Sequence, residues 1–178
     1  MRFSNMLVHF CSTTKHKLWV FWFMARFCSR LMFRALIHDN TKYYPSEAVG
    51  FSSIIDRLRQ TTYGSPQYKK CLEDIRPAIQ THYSRNSHHP ENHADGVHDM
   101  DLADLIEMYC DWHASAKRHD DGNIFRSIRI NQSRFGLSEQ LASIMENEAR
   151  TGKDDRRKIV RMPSSPKKPI RPAGNRAS

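Results

Sequence analysis

The feature that most constrains the fold is the spacing of apolar residues, which follows helical intervals through most of the chain. His16, Trp19, Val20, Phe23 and Phe27 fall on one face of a helix that Thr13 or Thr14 can cap. The same spacing predicts further helices over 31–37, 46–60, 67–83, 101–118, 124–130 and from 138 onward. Pro77 should kink the 67–83 helix or divide it in two. No segment alternates as a half-buried strand does, and no internal repeat occurs. The sequence therefore predicts an all-α fold.

Charge divides the chain into a nearly neutral body and a basic tail. Residues 151–178 hold nine Lys/Arg and two Asp, a balance of +7 out of the net +9. Four prolines and little apolar surface predict that this tail is disordered. The length suits one compact domain, over 13–150, behind an N-terminal extension, 1–12. We expect the tail alone to make nonspecific contacts with nucleic acid.

The most apolar run, Leu18 to Ala25, is too short for a membrane span, which needs about 20 residues. Arg26, Arg30 and Arg34 follow it at one-turn intervals, and no signal-peptide cleavage site is present. The four cysteines form no C-x-x-C pair and fit a reducing compartment. These features predict a protein of the cytoplasm (the host cytoplasm if it is encoded by a phage), with no membrane partner.

Histidines and carboxylates supply the chemistry. Seven of the ten histidines lie between His82 and His119. A divalent ion that activates water needs nitrogen and carboxylate ligands from several elements. The candidates are His16, His38, Asp39, His82 and Asp111. They predict one or two divalent ions, without distinguishing Mn, Mg, Fe, Co or Zn.

The order H … HD … H … D across helices resembles the HD-domain superfamily of metal-dependent phosphohydrolases, and within or near it a phage and bacterial family of unknown function. The matching segments are His16-Lys17, H-D-N-T-K-Y at 38–43, H-Y-S-R-N-S-H-H-P-E at 82–91, D-M at 99–100 and E-M-Y-C-D-W at 107–112. The resemblance covers about residues 13–150 and implies a helical HD-domain-like bundle. Asn40-Thr41 and Asn92-His93 depart from the family pattern.

The resemblance also demands a particular path for the first helical segment. If residues 14–37 formed one straight helix, His16 and His38 would lie about 33 Å apart and could not share a metal. A metal site containing both therefore requires a reversal, for which Cys28–Leu31 is the available place. We expect an antiparallel helix pair, and we make the metal assignment depend on it.

Roles follow from the resemblance and from side-chain chemistry. Asp39 would bridge two metals, while Glu107 would orient a ligating histidine or hold an arginine. Glu91 is a candidate general base for water. The remaining candidates are Lys42 and Arg85 for phosphate oxygens, and His88 and His89 for a second metal or phosphate. Each residue also has a plain structural interpretation, such as a packed core histidine or a solvated charge.

The resulting expectation is a metal-dependent phosphohydrolase that acts on a nucleotide or another small phosphoester. The sequence has no P-loop, which argues against kinase-like transfer. The alternative is a non-catalytic helical interaction protein with a structural metal and a basic, nucleic-acid-binding tail. Coordination distinguishes them, because a structural site is closed and a catalytic site keeps one position open.

Overall fold

The computed structural model describes residues 2–62, 64–118 and 122–154, and this part of the chain is helical without any strand. The predicted all-α fold is therefore confirmed. The helices are α1 (Arg2–Ile37), α2 (Pro45–Arg59), α3 (Pro66–Asp74), α4 (Arg76–Arg85), α5 (Leu102–Ala116), α6 (Ile124–Phe135) and α7 (Glu139–Asp154). The predicted disordered tail concerns residues that, beyond Asp154, lie outside this description.

Helix α1 is unbroken, and the predicted reversal at Cys28–Leu31 is wrong. Residues 2–37 contain neither Gly nor Pro, so no residue interrupts the backbone hydrogen bonds of the helix. The helix also begins at Arg2 and not just before His16, so the N-terminal extension is part of it. Only its C-terminal end meets the rest of the domain, and every side chain over 4–26 is exposed.

Helices α2, α3 and α4 form a small core around Ile54, Cys71, Ile75 and Ala78. The predicted 67–83 helix is two helices, because Pro77 in the first turn of α4 cannot continue the hydrogen bonds of α3. Gly50 lets α2 approach α4 closely, since a Cβ there would lie 2.6 Å from the Cβ of Ala78. This approach brings the first turn of α2 beside the last turn of α4.

Helices α5, α6 and α7 form the larger core. Asp101 caps α5 and forms a capping box with Asp104. Helix α6 extends past the predicted 124–130 to Phe135, where Gly136 at φ 68° ends it. The core consists of Met100, Met108, Trp112, Ile124, Ile128, Leu137, Ala142, Met145 and Ala149.

The two cores meet through the irregular segment 86–101, which contains two short 3-10 turns, Pro90–Asn92 and Gly96–Asp99. Side-chain hydrogen bonds hold this segment in place: Ser87 donates to Asp104, and Asn92 donates to the Tyr83 carbonyl. Among the described residues, none of the helices combines the length and the apolarity that a membrane crossing requires.

Candidate metal centre

His38 and Asp39 stand where α1 ends against α5. Asp39 adopts a left-handed conformation, φ 57° and ψ 16°, the only described non-glycine residue with positive φ. Asp and Asn tolerate this conformation better than most residues, and it commonly ends a helix. The turn directs both side chains toward the segment 82–89 and toward α5, where their partners lie.

His82 comes from the last turn of α4 and is buried. Its Nδ1 donates to Oε2 of Glu47 over 2.9 Å, and Glu47 is fully buried in the first turn of α2. Thr41 also donates to the same carboxylate oxygen. The contact leaves Nε2 of His82 facing Asp39, 3.3 Å from Oδ1.

A second carboxylate orients two more imidazoles. Glu107 on α5 accepts from Nδ1 of His38 over 2.8 Å and lies 3.1 Å from Nδ1 of His88. It also accepts from Arg34. The two Nε2 atoms consequently face Asp39, at 3.4 Å for His38 and 3.5 Å for His88. Glu107 thus contacts both an imidazole pair and an arginine.

These side chains form one cluster of three overlapping groups, and within each group the possible ligand atoms lie within 4.8 Å of one another. One group is His38, His88 and Glu107. The other two are Asp39, His82, His88 and His89, and His38, Asp39 and Asp111. Asp39 belongs to both of these. Oδ1 of Asp39 and Nε2 of His88 are buried and have no hydrogen-bond partner in the described part of the chain. Buried polar atoms are rarely left unpaired, and here the donor set fits a divalent cation.

Charge in the cluster favours ionised Asp39 and Glu107 and a protonated His38. The Asp111 and Glu107 carboxylates raise the pKa of His38 to about 10. Burial opposes the ionisation of Asp39, but the contacts with His82 and Lys42 outweigh it and hold its pKa well below the usual range. Burial, together with the neighbouring His88 and His82, lowers the pKa of His89 to about 3. His89 is therefore neutral at pH 7, the state in which an imidazole can ligate a metal.

A cavity of about 290 Å³ reaches the cluster from the side opposite α1. His82, His89 and Asp111 line it, so the cluster is accessible from this cavity. Aromatic and aliphatic side chains form most of the remaining wall. The cationic side chains at the wall are those of Lys42, Arg118 and Arg134. Lys42 also donates to Oδ2 of Asp39 over 2.5 Å.

Three candidate residues lie away from the cluster. His16 is exposed on α1 and, 22 positions before His38 in a continuous helix, lies about 33 Å from it, so the prediction that it shares the site is wrong. Arg85 points toward Ser46 and the far oxygen of Glu47 and does not line the cavity. Glu91 lines the cavity wall, where it pairs with Arg134.

The predicted metal site, which required His16 beside His38, is wrong as it was stated, because α1 is unbroken. His88, considered only for a second metal or a phosphate contact, faces Asp39 beside His82 and supplies the imidazole that His16 does not. The cluster therefore contains four histidines without any residue from the exposed part of α1.

Glu47 was missed by the sequence analysis, although the sequence carries a sign of it. Glu47, Phe51, Ile54 and Leu58 follow the i, i+4, i+7, i+11 spacing of one helical face, so the acid begins an apolar stripe. A carboxylate in that position must find a buried partner. The buried Asp104, which accepts from Arg34 and Ser87, likewise lies on the face of α5 that carries Glu107 and Asp111.

Comparison with known proteins identifies a family. The model of the family of unknown function DUF5662 matches residues 5–151, which include most of α1 and all the residues of the cluster. Comparison with curated proteins and with solved structures gave no match. Because the family model spans most of the sequence, the chain belongs to the DUF5662 family.

Proposed function

We propose that this protein is a metal-dependent phosphohydrolase that acts on a nucleotide or another small phosphoester. The observation that carries the proposal is the convergence of three imidazole Nε2 atoms on Asp39, at 3.3, 3.4 and 3.5 Å. The Nδ1 atom of each of these imidazoles contacts a carboxylate, Glu107 for His38 and His88 and Glu47 for His82. Proteins commonly orient metal-ligating histidines by such contacts.

Two ion positions follow from the two groups that contain Asp39. Asp39, His82, His88 and His89 would hold one ion. His38 and Asp111 would hold the other, and Asp39 would be shared between them. A bound divalent ion lowers the pKa of water toward about 7 and stabilises charge that develops on a phosphoryl oxygen. Three of the four segments in the H … HD … H … D order supply these residues, in keeping with the HD-domain resemblance.

The cavity supports a catalytic function over a purely structural metal. A structural site is closed by protein ligands, whereas here His82, His89 and Asp111 form part of a cavity wall. Lys42 would hold a phosphate oxygen of the substrate beside Asp39, and Arg118 and Arg134 extend the positive wall. Aromatic and aliphatic side chains of the same cavity, among them Phe51, Leu72 and Tyr83, offer a surface for an apolar or aromatic leaving group.

The test combines metal analysis with a substrate screen on the full chain. Protein loaded with Mn²⁺, Mg²⁺, Fe²⁺, Co²⁺ or Zn²⁺ should retain one or two equivalents and hydrolyse bis-p-nitrophenyl phosphate or a nucleotide. His88→Ala should lose metal and activity. The matched control, His98→Ala, alters an exposed histidine and should retain both.

The outcomes separate the hypotheses. Protein that binds none of these ions would contradict the proposal outright. Protein that binds metal tightly but hydrolyses no phosphoester would favour the alternative, in which the ion stabilises the helical body.

A further inference from the structure

We propose that the exposed part of α1 docks on a second copy of this chain, in the groove between that copy's α1 and α5. The pair is antiparallel and reciprocal, so each chain contributes one helix and one groove. This inference concerns the oligomer and stands independently of any metal or activity.

The first observation is the surface of α1 itself. Over residues 4–26 every side chain is exposed, although the segment contains two Trp and three Phe. Phe21 is 71% exposed and Leu18 is 63% exposed. Most of the stability of a helix in a protein comes from burying its apolar face against another element, so a helix with this face exposed to water lacks that contribution. The segment therefore requires a partner.

The second observation is a heptad seam along α1. Apolar and small residues recur at alternating steps of four and three, the spacing of a helix that packs lengthwise against another helix. The seam consists of Leu7, Cys11, Thr14, Leu18, Phe21, Ala25, Cys28, Met32 and Ala35. All of these are exposed. The charged Lys15, Arg26, Arg30 and Arg34 lie off the seam.

The third observation is a groove into which the seam leads. It has a volume of about 480 Å³ and lies between α1 and α5. Small and aliphatic side chains form most of its wall: Cys28, Leu31, Met32, Ala35, Ile106, Cys110 and Ala114. The bulky residues Leu18 to Met24 precede this wall in α1. Because α1 is unbroken, they cannot fold back onto the wall of their own chain. Large side chains facing small ones complement each other in packing.

Symmetry fixes the direction. In a two-fold pair, if residues 18–24 of one chain contact residues 28–35 of the other, the reverse contact also holds. That condition requires antiparallel helices, since a parallel pair would place each bulky segment against its own copy and leave both grooves open.

Charge and area favour this occupant. Residues 1–37 hold six Lys/Arg and no acid, whereas α5, one wall of the groove, holds Asp104, Glu107 and Asp111 and no Lys/Arg, so the basic helix meets an acidic wall. The large exposed side chains at or beside the seam are Leu7, Phe10, Leu18, Phe21, Trp22, Met24, Met32 and Leu36. At roughly 100 Å² each they provide close to the roughly 800 Å² per partner that a stable interface buries.

Docking would also cover one side of the cluster. His38, Glu107 and Asp111 line the groove, whereas the cavity that contains Lys42 and His82 opens on the other side. The second copy would therefore exclude water from the α1 side and leave the cavity free.

The test measures the mass of the full chain by sedimentation at 1–100 µM, concentrations on the order of those at which standard interfaces associate. We expect a dimer. Phe21→Glu on the seam should raise the dimer dissociation constant roughly 100-fold. Phe23→Glu, the same change on the opposite face of α1, should leave it unchanged. Ala114→Trp should fill the groove and also give a monomer, although it lies on α5.

A mixture provides the decisive result. Phe21→Glu protein has an intact groove and Ala114→Trp protein has an intact α1, so the two monomers mixed should form a heterodimer through one undamaged contact. Variants that had merely misfolded would not restore each other. A wild-type monomer at 100 µM, a dimer insensitive to Ala114→Trp, or a mixture that stays monomeric would each overturn the proposal. A monomer that instead binds phosphatidylserine vesicles through Phe21 would assign the surface to lipid.

Discussion

Oδ1 of Asp39 and Nε2 of His88 lie 3.5 Å apart, both buried, and neither makes a hydrogen bond among the described residues. Leaving such a pair unsatisfied costs roughly 1–3 kcal/mol for each group. Glu107 and Glu47 orient the neighbouring imidazoles through their Nδ1 atoms. A divalent cation that both Oδ1 of Asp39 and Nε2 of His88 can ligate would remove this cost.

Asp39→Asn should remove the carboxylate that both ion positions share, and metal affinity should fall at least about 10-fold. Removing a residue that only hydrogen-bonds a metal ligand already costs about 10-fold or more, and Asp39 would be a ligand itself. Asn has the shape of Asp and tolerates its left-handed backbone, so the far-ultraviolet circular dichroism should not change. Asp56→Asn, at a solvent-exposed carboxylate, is the control for the loss of one negative charge. Full metal occupancy in Asp39→Asn would contradict the assignment.

Metal affinity should rise with pH. His38 in the metal-free protein has a pKa of about 10, so it carries a proton at pH 7 that a ligating metal must displace. Affinity should therefore increase about tenfold per pH unit between pH 7 and 9 and level off above the pKa. Calorimetry in buffers of different ionisation enthalpy should detect the released proton. An affinity that does not change over this range would show that His38 stays outside the coordination sphere.

His16→Ala should leave metal binding and hydrolysis unchanged, because α1 holds this residue about 33 Å from His38. Metal content and turnover of this variant, measured beside His88→Ala, decide between the arrangement expected from the sequence and the one in the structure. A variant that lost its metal would show that α1 can reverse in solution.

Lys42→Met should retain the metal and lose turnover. A protonated lysine has no lone pair to offer a metal at neutral pH. Removing Lys42 also leaves the negative charge of Asp39 without its cationic partner, so metal affinity should hold or increase. If Lys42 holds a phosphate oxygen, kcat/KM should fall roughly 100-fold. Lys69→Met, at an exposed position on α3, should have no effect on either quantity. Loss of metal in Lys42→Met would mean that the lysine shapes the site and does not contact substrate.

Trp112→Ala should destabilise the domain by about 3–5 kcal/mol. The indole is only 8% exposed in the larger core and stacks on Phe135 with ring centroids 6.1 Å apart. Urea unfolding followed by circular dichroism measures the change. Trp19→Ala, at a side chain 52% exposed on α1, provides a comparison in which the free energy of unfolding should change far less.

The sequence by itself determined the helical class and most of the helices, because helical spacing, Pro45, Pro66, Pro77 and the cap at Asp101 act within a few residues. It also identified nearly every residue of the cluster. Those side chains are adjacent to one another in the sequence or recur on helical faces, so local patterns suffice to find them.

Only the tertiary structure decided which candidates meet. Nothing between Cys28 and Leu31 interrupts α1, so a reversal there had no local cause, and the resemblance that required it could not supply one. His88, and not His16, lies beside His82 and Asp39. The segment between α4 and α5 packs against α5, where Glu107 orients the His88 imidazole. Glu47 contacts His82 because α2 and α4 approach closely at Gly50. Such contacts join residues 19 to 69 positions apart, and their geometry depends on packing that no local pattern encodes.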